Sequence, residues 1–397
     1  MSLVNSPYKL AYFVSHPIQY QAPLLKFISA HPDIDLTVFF LTDISTKAYH
    51  DHGFGRKVEW DTPLLEGYEY TFLDSTFKKQ DFGINNPSVS FKSIHRAILS
   101  NDWDAIWVHG YSNLALLFVF YLCKKNHIPV FLRGDSNLSC EPSNPIKQLL
   151  KRLLIKPLIK RFDALLCTGT ANRNYYLHYG AKKEQLFSMP LAVDNQAFQK
   201  LLKPPKNPTS TENKIVFLYA SKFIARKHPL LLLKAFNALN KSIKQQCELW
   251  FIGSGEQENE LISYIKKYDL QGCVKLLGFK NQSELPWYFQ QCDVFVLPAE
   301  REPFGLVINE VMNQAKAIIT TTEVGASKDL VFNGDNGWII TAGSQTALTA
   351  TLAEAAQRDD LEAMGQRSLS IISAWNFQSN IDGLLSALDA CQTNDVK

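Results

Sequence analysis

Two glutamates with seven residues between them, Glu302 and Glu310, lie within the run PAEREPFGLVINEVM at 298–312. The pattern reads as an apolar strand at 294–297, an acidic loop, a turn at Phe304-Gly305 and a helix over 306–314. Glu302 falls in the loop and Glu310 about one turn into the helix, so both carboxylates can face a ligand at the helix start. The first amides of a helix have no intrahelical partner, and around Gly305, Leu306 and Val307 they offer an anion site. A glycine there lets a phosphate come close to the backbone. One ligand could satisfy the whole set, with a diphosphate on the amides, a ribose on one carboxylate and sugar hydroxyls on the other. Two glutamates alone would be solvated side chains flanking a helix. The strand, the intervening FGL and the helix turn the reading toward chemistry.

A second constellation is ASKFIARKH at 220–228, directly after an apolar strand at 215–220. Lys222 and Lys227 lie in a strand-to-helix loop, where two cations could neutralise charge developing on a leaving phosphate. Without the glutamate motif they would be solvated surface lysines.

With both motifs in view, the chain resembles the family 4 retaining glycosyltransferases (glycosyl transferases group 1, GT-B fold), whose E-x7-E motif has this form. The resemblance implies that Glu302 contacts hydroxyls of the donor sugar and Glu310 the ribose. The amides of Phe304, Gly305 and Leu306 would lie against sugar and phosphate, and Lys222 and Lys227 against the diphosphate. Gly253 in FIGSG matches a further turn, Gly278 and Phe279 in LGF match the place where the family holds the nucleotide base, and Gly325 in VGA and Asn336-Gly337 match its later glycine turns. His109 ends an apolar run in DAIWVHGY, where the family carries a histidine that hydrogen-bonds the donor sugar. Catalysis would then rest on His109, Lys222, Lys227 and Glu302. Ser221 and His228 stand where the family usually has glycines, and Ala315 and Ala317 replace its glycine-proline turn.

The acceptor side is less explicit. SHPIQYQAP at 15–23 replaces the glycine-rich first loop of many relatives and is similar to the HPIQY opening of a bacterial subset. It offers His16, Gln19 and Tyr20. In LRGDS at 132–136, Arg133 could hold an anionic acceptor and Asp135 an acceptor hydroxyl, or the two could pair to brace a loop. His50 and His52 flank Asp51 without a third ligand at metal-binding spacing, and no D-x-D occurs in a plausible place. No metal and no cofactor are therefore expected, since the nucleotide-sugar donor is itself a substrate. The acceptor would be a glycan, a lipid-linked sugar or a small molecule.

These residues need a scaffold that presents loops at strand ends. Short apolar runs alternate with helical patterns along the chain: strands at 9–15, 36–41, 68–73, 105–109, 130–133 and 164–168, and again at 215–220, 248–253, 274–277, 294–297 and 317–320. That alternation predicts α/β architecture with parallel sheets, in two Rossmann-like doubly wound domains facing each other across a cleft. LKPPKNPTSTEN at 202–213 has three prolines and no apolar periodicity, and marks a linker. The expected division is an acceptor-side domain at 1–201, the linker at 202–213, a nucleotide-sugar domain at 214–375, and a C-terminal helix in 376–397 crossing back to the first domain.

Bulk properties narrow the partners. A length of 397 residues exceeds one ordinary core. A net charge of +3 gives no footing for nucleic acid, and seven scattered cysteines without a C-x-x-C pair read as reduced thiols of a cytoplasmic protein. No run approaches the ~18 apolar residues of a spanning helix. Residues 145–161 carry Lys147, Lys151, Arg152, Lys156, Lys160 and Arg161 among many Leu and Ile, with no acid. Such a helix could lie on an anionic membrane at its inner face, or pack its apolar side inward and solvate its lysines. A nicotinamide-dependent oxidoreductase would want G-x-G-x-x-G after a first strand, which both SHPIQYQ and SKFIARK lack. A sugar-nucleotide epimerase of the same fold is the closer rival, followed by a binding protein without catalysis.

Overall fold

A computed structural model of the chain describes residues 6–74, 89–200 and 214–395; the expected linker at 202–213 lies outside them. By contact, the described residues of Met1–Tyr49, Thr62–Val193 and Phe377–Lys397 form one compact unit, and those of His50–Asp61 and Asp194–Asn376 a second.

The first unit is built on seven parallel strands in the order Glu69–Phe72, Ile34–Phe40, Tyr8–Val14, Ala105–His109, Val130–Gly134, Ala164–Cys167, Leu186–Ser188. The central strands read as unbroken apolar runs because helices cover both faces, so alternation is lost. On one face Phe13, Val108 and Leu132 pack with Ile94, Val119 and Tyr175 of the helices Phe91–Leu99, Leu114–Lys125 and Thr170–His178. On the other, Tyr12, Trp107 and Phe131 pack with Leu24 and Ile28 of the helix Ala22–Ser29, and with Ile381 and Leu384 of the helix Phe377–Asp395. That last helix sits so close to the edge strand that a Cβ on Gly383 would collide with the carbonyl of Ser188.

The second unit holds six parallel strands in the order Val274–Leu276, Cys247–Ile252, Ile215–Ala220, Val294–Leu297, Ala317–Thr321, Gly337–Ile340. Its core runs through Phe217, Leu249, Val294 and Ile319 to the helices Pro229–Asn237 and Gln345–Ala355. The chain is thus α/β, with two Rossmann-like parallel sheets.

Two segments depart from the expected boundary at 1–201: residues 194–200 cluster with the second unit, and so does a stretch from the first half of the chain. His50–Asp61, with Tyr49–Asp51 and Arg56–Val58 paired as a two-stranded sheet, belongs to the second unit. It has no apolar run with which to form a core of its own. It is held by the Ser254 hydroxyl donating to the Phe54 carbonyl at 2.9 Å and by the Asn281 amide donating to the Glu59 carbonyl at 2.7 Å.

In each sheet the strand order reverses once, between Tyr8–Val14 and Ala105–His109 in the first and between Ile215–Ala220 and Val294–Leu297 in the second. Connections leave in opposite directions from such a point and open a crevice at the carboxyl ends of the strands. The loops that carry the motifs start there. Among the described residues no helix is long and apolar enough to cross a membrane. Burial pushes the thiols of Cys123, Cys167 and Cys292 up to about 12, away from the thiolate form.

Candidate functional site

The loop after Val294–Leu297 is fixed by backbone before any side chain acts. Gly325 donates its N–H to the Glu302 carbonyl at 3.1 Å, and Ala326 donates to the Phe304 carbonyl at 2.8 Å. This approach requires glycine, because a Cβ on Gly325 would collide with the Pro303 carbonyl. Gly305 turns at φ +96°, and a Cβ there would meet the Val324 side chain at 2.8 Å. The following helix, Val307–Met312, is only six residues long, shorter than the expected 306–314. Attraction for an anion at this point would thus come from local amides more than from a long helix dipole. Leu306 is half-buried at the cap of this helix, and Phe304 is buried 6.3 Å from the Trp375 ring.

The Glu302 carboxylate is paired with the Lys227 ammonium, both side chains being nearly buried, with the Arg226 guanidinium 3.9 Å away. The lysine loop is shaped by the neighbouring strand ends. Tyr219 donates to the Lys222 carbonyl at 2.9 Å, and the Phe223 N–H donates to Ser254 at 2.8 Å. Gly253 passes so close to Ser221 that a Cβ would strike its carbonyl. His228 adopts φ +56° and leads into the helix at Pro229. Lys222 has a different partner from Lys227: its ammonium contacts both carboxylate oxygens of Asp51, at 2.8 and 3.0 Å.

Glu310 is 6% exposed, and burial pushes its carboxyl up to about 8. The Gln282 amide lies 3.4 Å from its carboxyl, in the loop just beyond Gly278 and Phe279. Gly278, at φ +71°, accepts the Gly253 N–H at 3.0 Å. The second unit thus joins three strand-end loops, at 221–228, 253–255 and 278–282, to the Glu302–Glu310 segment. The two glutamates have separate partners, and one is an ion-paired carboxylate while the other is held as a neutral acid.

In the first unit the strand ends bring His16 and His109 together with a residue that the sequence reading passed over. Gln21 is 2% exposed; its amide nitrogen lies 3.2 Å from both ring nitrogens of His109, and its carbonyl accepts from the Tyr12 hydroxyl at 2.6 Å. Burial, with Arg133 and His16 nearby, pushes the His109 ring down to about 3, and burial pushes His16 down to about 4. Both rings are neutral at physiological pH. Gln21 stands two residues beyond Gln19 in the same SHPIQYQ run, and only its fully inward orientation separates it from its half-buried neighbours Gln19 and Tyr20. The Tyr20 hydroxyl is pushed up to about 12 by burial and by the charge of Asp135.

Arg133 has structural partners at the end of its strand. It is 1% exposed, and its Nη2 donates to the carbonyls of Met189 and Pro190 and to Asn380 at 3.0–3.2 Å. Through Nη2 the guanidinium ties the sheet to the C-terminal helix, and these contacts are with carbonyl oxygens, not with Asp135. Asp135 itself is exposed at the strand end. Among the described residues no three His, Cys, Asp or Glu side chains cluster as metal ligands. The carboxylate between His50 and His52 is engaged by Lys222.

Taken chemically, the second unit can hold an anion on Lys222 and Lys227 and accept hydroxyls at Glu302 and Glu310, while the first unit offers a neutral imidazole. Residues 203–368 match the family model described as glycosyl transferases group 1, a span that takes in the whole second sheet. The amylovoran biosynthesis glycosyltransferase AmsK of Erwinia amylovora is 32% identical over 29% of this chain and 30% of its own length. The uncharacterized glycosyltransferase YqgM of Bacillus subtilis is 25% identical over 58% and 62%. The chain therefore spans less than two thirds of these curated relatives. Crystal structures of Anabaena Alr3699/HepE share the fold, with TM-scores of 0.71 in complex with UDP and 0.67 with UDP-glucose, at 19% and 18% identity, covering 96% and 98% of this chain and all of theirs. The chain thus shares the GT-B fold of these structures.

Proposed function

We propose that this chain is a family 4 retaining glycosyltransferase, which moves a sugar from a nucleotide-sugar donor to an acceptor hydroxyl in bacterial polysaccharide or glycoconjugate biosynthesis. The observation that carries the reading is the Lys227–Glu302 pair at the reversal point of the second sheet, within the segment that matches glycosyl transferases group 1. The relative AmsK, named for amylovoran biosynthesis, and the fold shared with a UDP-glucose complex support the substrate class.

In this reading Lys222 and Lys227 hold the donor diphosphate, Glu302 the sugar hydroxyls and Glu310 the ribose, and His109 keeps the sugar-binding role that the resemblance implies. Gly253, Gly278, Phe279 and Gly325 shape the nucleotide and phosphate loops. The bond from the anomeric carbon to the diphosphate breaks while the acceptor oxygen bonds to that carbon on the same face. The acceptor's proton passes to a departing phosphate oxygen, and the two ammonium groups stabilise the charge left there. No protein nucleophile, metal or cofactor is required.

The helix Pro145–Ile159 supports a peripheral position on the inner face of a membrane, within reach of a lipid-linked acceptor. Ile146, Leu149, Leu150, Leu153 and Leu154 form a stripe at helical spacing that faces solvent, each 56–72% exposed, and Ile159 is its one buried residue. The cations along it complement anionic headgroups, with the leucines reaching the acyl boundary.

The test is a panel of sugar nucleotides scored by thermal stabilisation, followed by assay of the preferred donor for slow release of nucleoside diphosphate. Stabilisation by one donor with such release is expected. Isomerised sugar nucleotide would point to an epimerase, and tight binding without turnover to a binding protein.

A further inference from the structure

The segment His50–Asp61 is drawn from the first half of the sequence but is seated over the nucleotide side of the second unit. Asp51 opens its turn: one carboxylate oxygen accepts from the N–H groups of Gly53 and Phe54 at 2.8 and 3.0 Å. The same carboxylate holds the Lys222 ammonium at 2.8 and 3.0 Å. Gly53 is what lets the lysine lie there, since a Cβ would come within 2.6 Å of the Lys222 chain. The ammonium also lies 4.6 Å from the centre of the Phe54 ring. Farther along, Phe54 meets Phe279 edge to face at 5.0 Å, and the Arg56 guanidinium stacks over Phe279 at 5.1 Å.

The segment therefore covers two positions that the functional reading gives to the donor, the diphosphate cation Lys222 and the base loop at Phe279. A cation held for a diphosphate needs a counter-charge when no donor is bound, and Asp51 supplies it. We propose that Asp51 stands in for the donor diphosphate on Lys222, and that residues 50–61 form a strap which the incoming nucleoside diphosphate displaces from that cation. This rests on the nucleotide-sugar reading. A diphosphate carries more charge than one carboxylate and engages Lys227 as well, so it can win the exchange. If Asp51 were instead a permanent support that positions Lys222, its removal would act with the opposite sign.

The 397-residue protein and its D51N variant are titrated calorimetrically with UDP, GDP and ADP. Asparagine keeps the oxygen that accepts from Gly53 and Phe54 and so preserves the turn, while the competing charge is lost. The preferred diphosphate should bind D51N about fivefold more tightly than wild type, the scale of one partly exposed ion pair. Hydrogen exchange at the Gly53 and Phe54 amides of the wild type should rise when that diphosphate binds. Equal or weaker binding by D51N, or unchanged exchange at those amides, overturns the strap. If the wild type binds none of the three, the donor reading itself falls and the strap with it.

Discussion

Lys227 and Glu302 form an ion pair whose side chains are 11% and 12% exposed, on two loops that leave adjacent strands on either side of the reversal in the second sheet. A pair so placed costs more to break than to remove, because one partner alone is a charge left in a dry site. E302Q should destabilise the protein by about 3 kcal/mol, and K227M by a similar amount. The double variant should lose less than the sum. All three should lose transfer activity, K227M by about a hundredfold or more in kcat. Melting curves and a donor-hydrolysis assay on the four proteins check both parts. Additive losses of stability would show that the contact carries no coupling.

Glu310 titrates in the opposite sense to a paired acid. Its folded carboxyl is raised to about 8 against an ordinary 4.5, so the fold favours the protonated form. The stability this contributes is complete below about 4.5 and is lost as pH rises to about 8, while the unfolded chain ionises and the folded one does not. The melting temperature of the donor-free protein should therefore fall more between pH 5 and 8 in wild type than in E310Q. A neutral acid both donates and accepts, as an amide does, so E310Q should retain donor affinity and E310A should lose about tenfold.

His109 and His16 should not titrate across the physiological range. Burial holds the two rings neutral down to about 3 and 4, so their NMR signals should not shift between pH 8 and 5.5. Below the ordinary histidine value near 6.5 the unfolded chain gains protons that these buried rings refuse, and stability declines as pH falls toward 4. H109Q should soften that decline. Q21A, which removes the amide beside the ring, should lower kcat without altering binding of the nucleoside diphosphate alone.

The exposed stripe of the helix Pro145–Ile159 gives a prediction independent of the donor site. The 397-residue protein should sediment with vesicles containing about 30% phosphatidylglycerol and not with phosphatidylcholine alone, and salt should weaken the binding. L150E with L154E should abolish sedimentation and leave the melting temperature within about 1 °C, because both side chains already face solvent. Binding that survives this change would move the contact elsewhere.

The two sheets were legible as apolar runs because central parallel strands are buried on both faces, as at Ala105–His109, Ile215–Ala220 and Val294–Leu297. The short edge strands Leu186–Ser188 and Gly337–Ile340 were not, since three or four residues carry too little periodicity to separate from loop. Glu302, Glu310, Lys222 and Lys227 could be singled out because their spacing sits on a strand-loop-helix pattern that sequence displays directly. Gln21 could not be ranked above Gln19, because which of two nearby amides turns inward depends on Tyr12 and His109, remote in the chain.

From sequence alone came the parallel α/β class, the loops that bear the charged residues, and the glycines that those loops need. Only tertiary structure decided the pairing of those charges. It gave Lys227 to Glu302 and Lys222 to Asp51, buried Glu310 as a neutral acid, and turned Arg133 inward to the C-terminal helix. Periodicity reports which face of an element is dry, whereas the state of a charge depends on groups far away along the chain. Lys222 and Asp51 are separated by 171 positions in the sequence, and no local pattern links them.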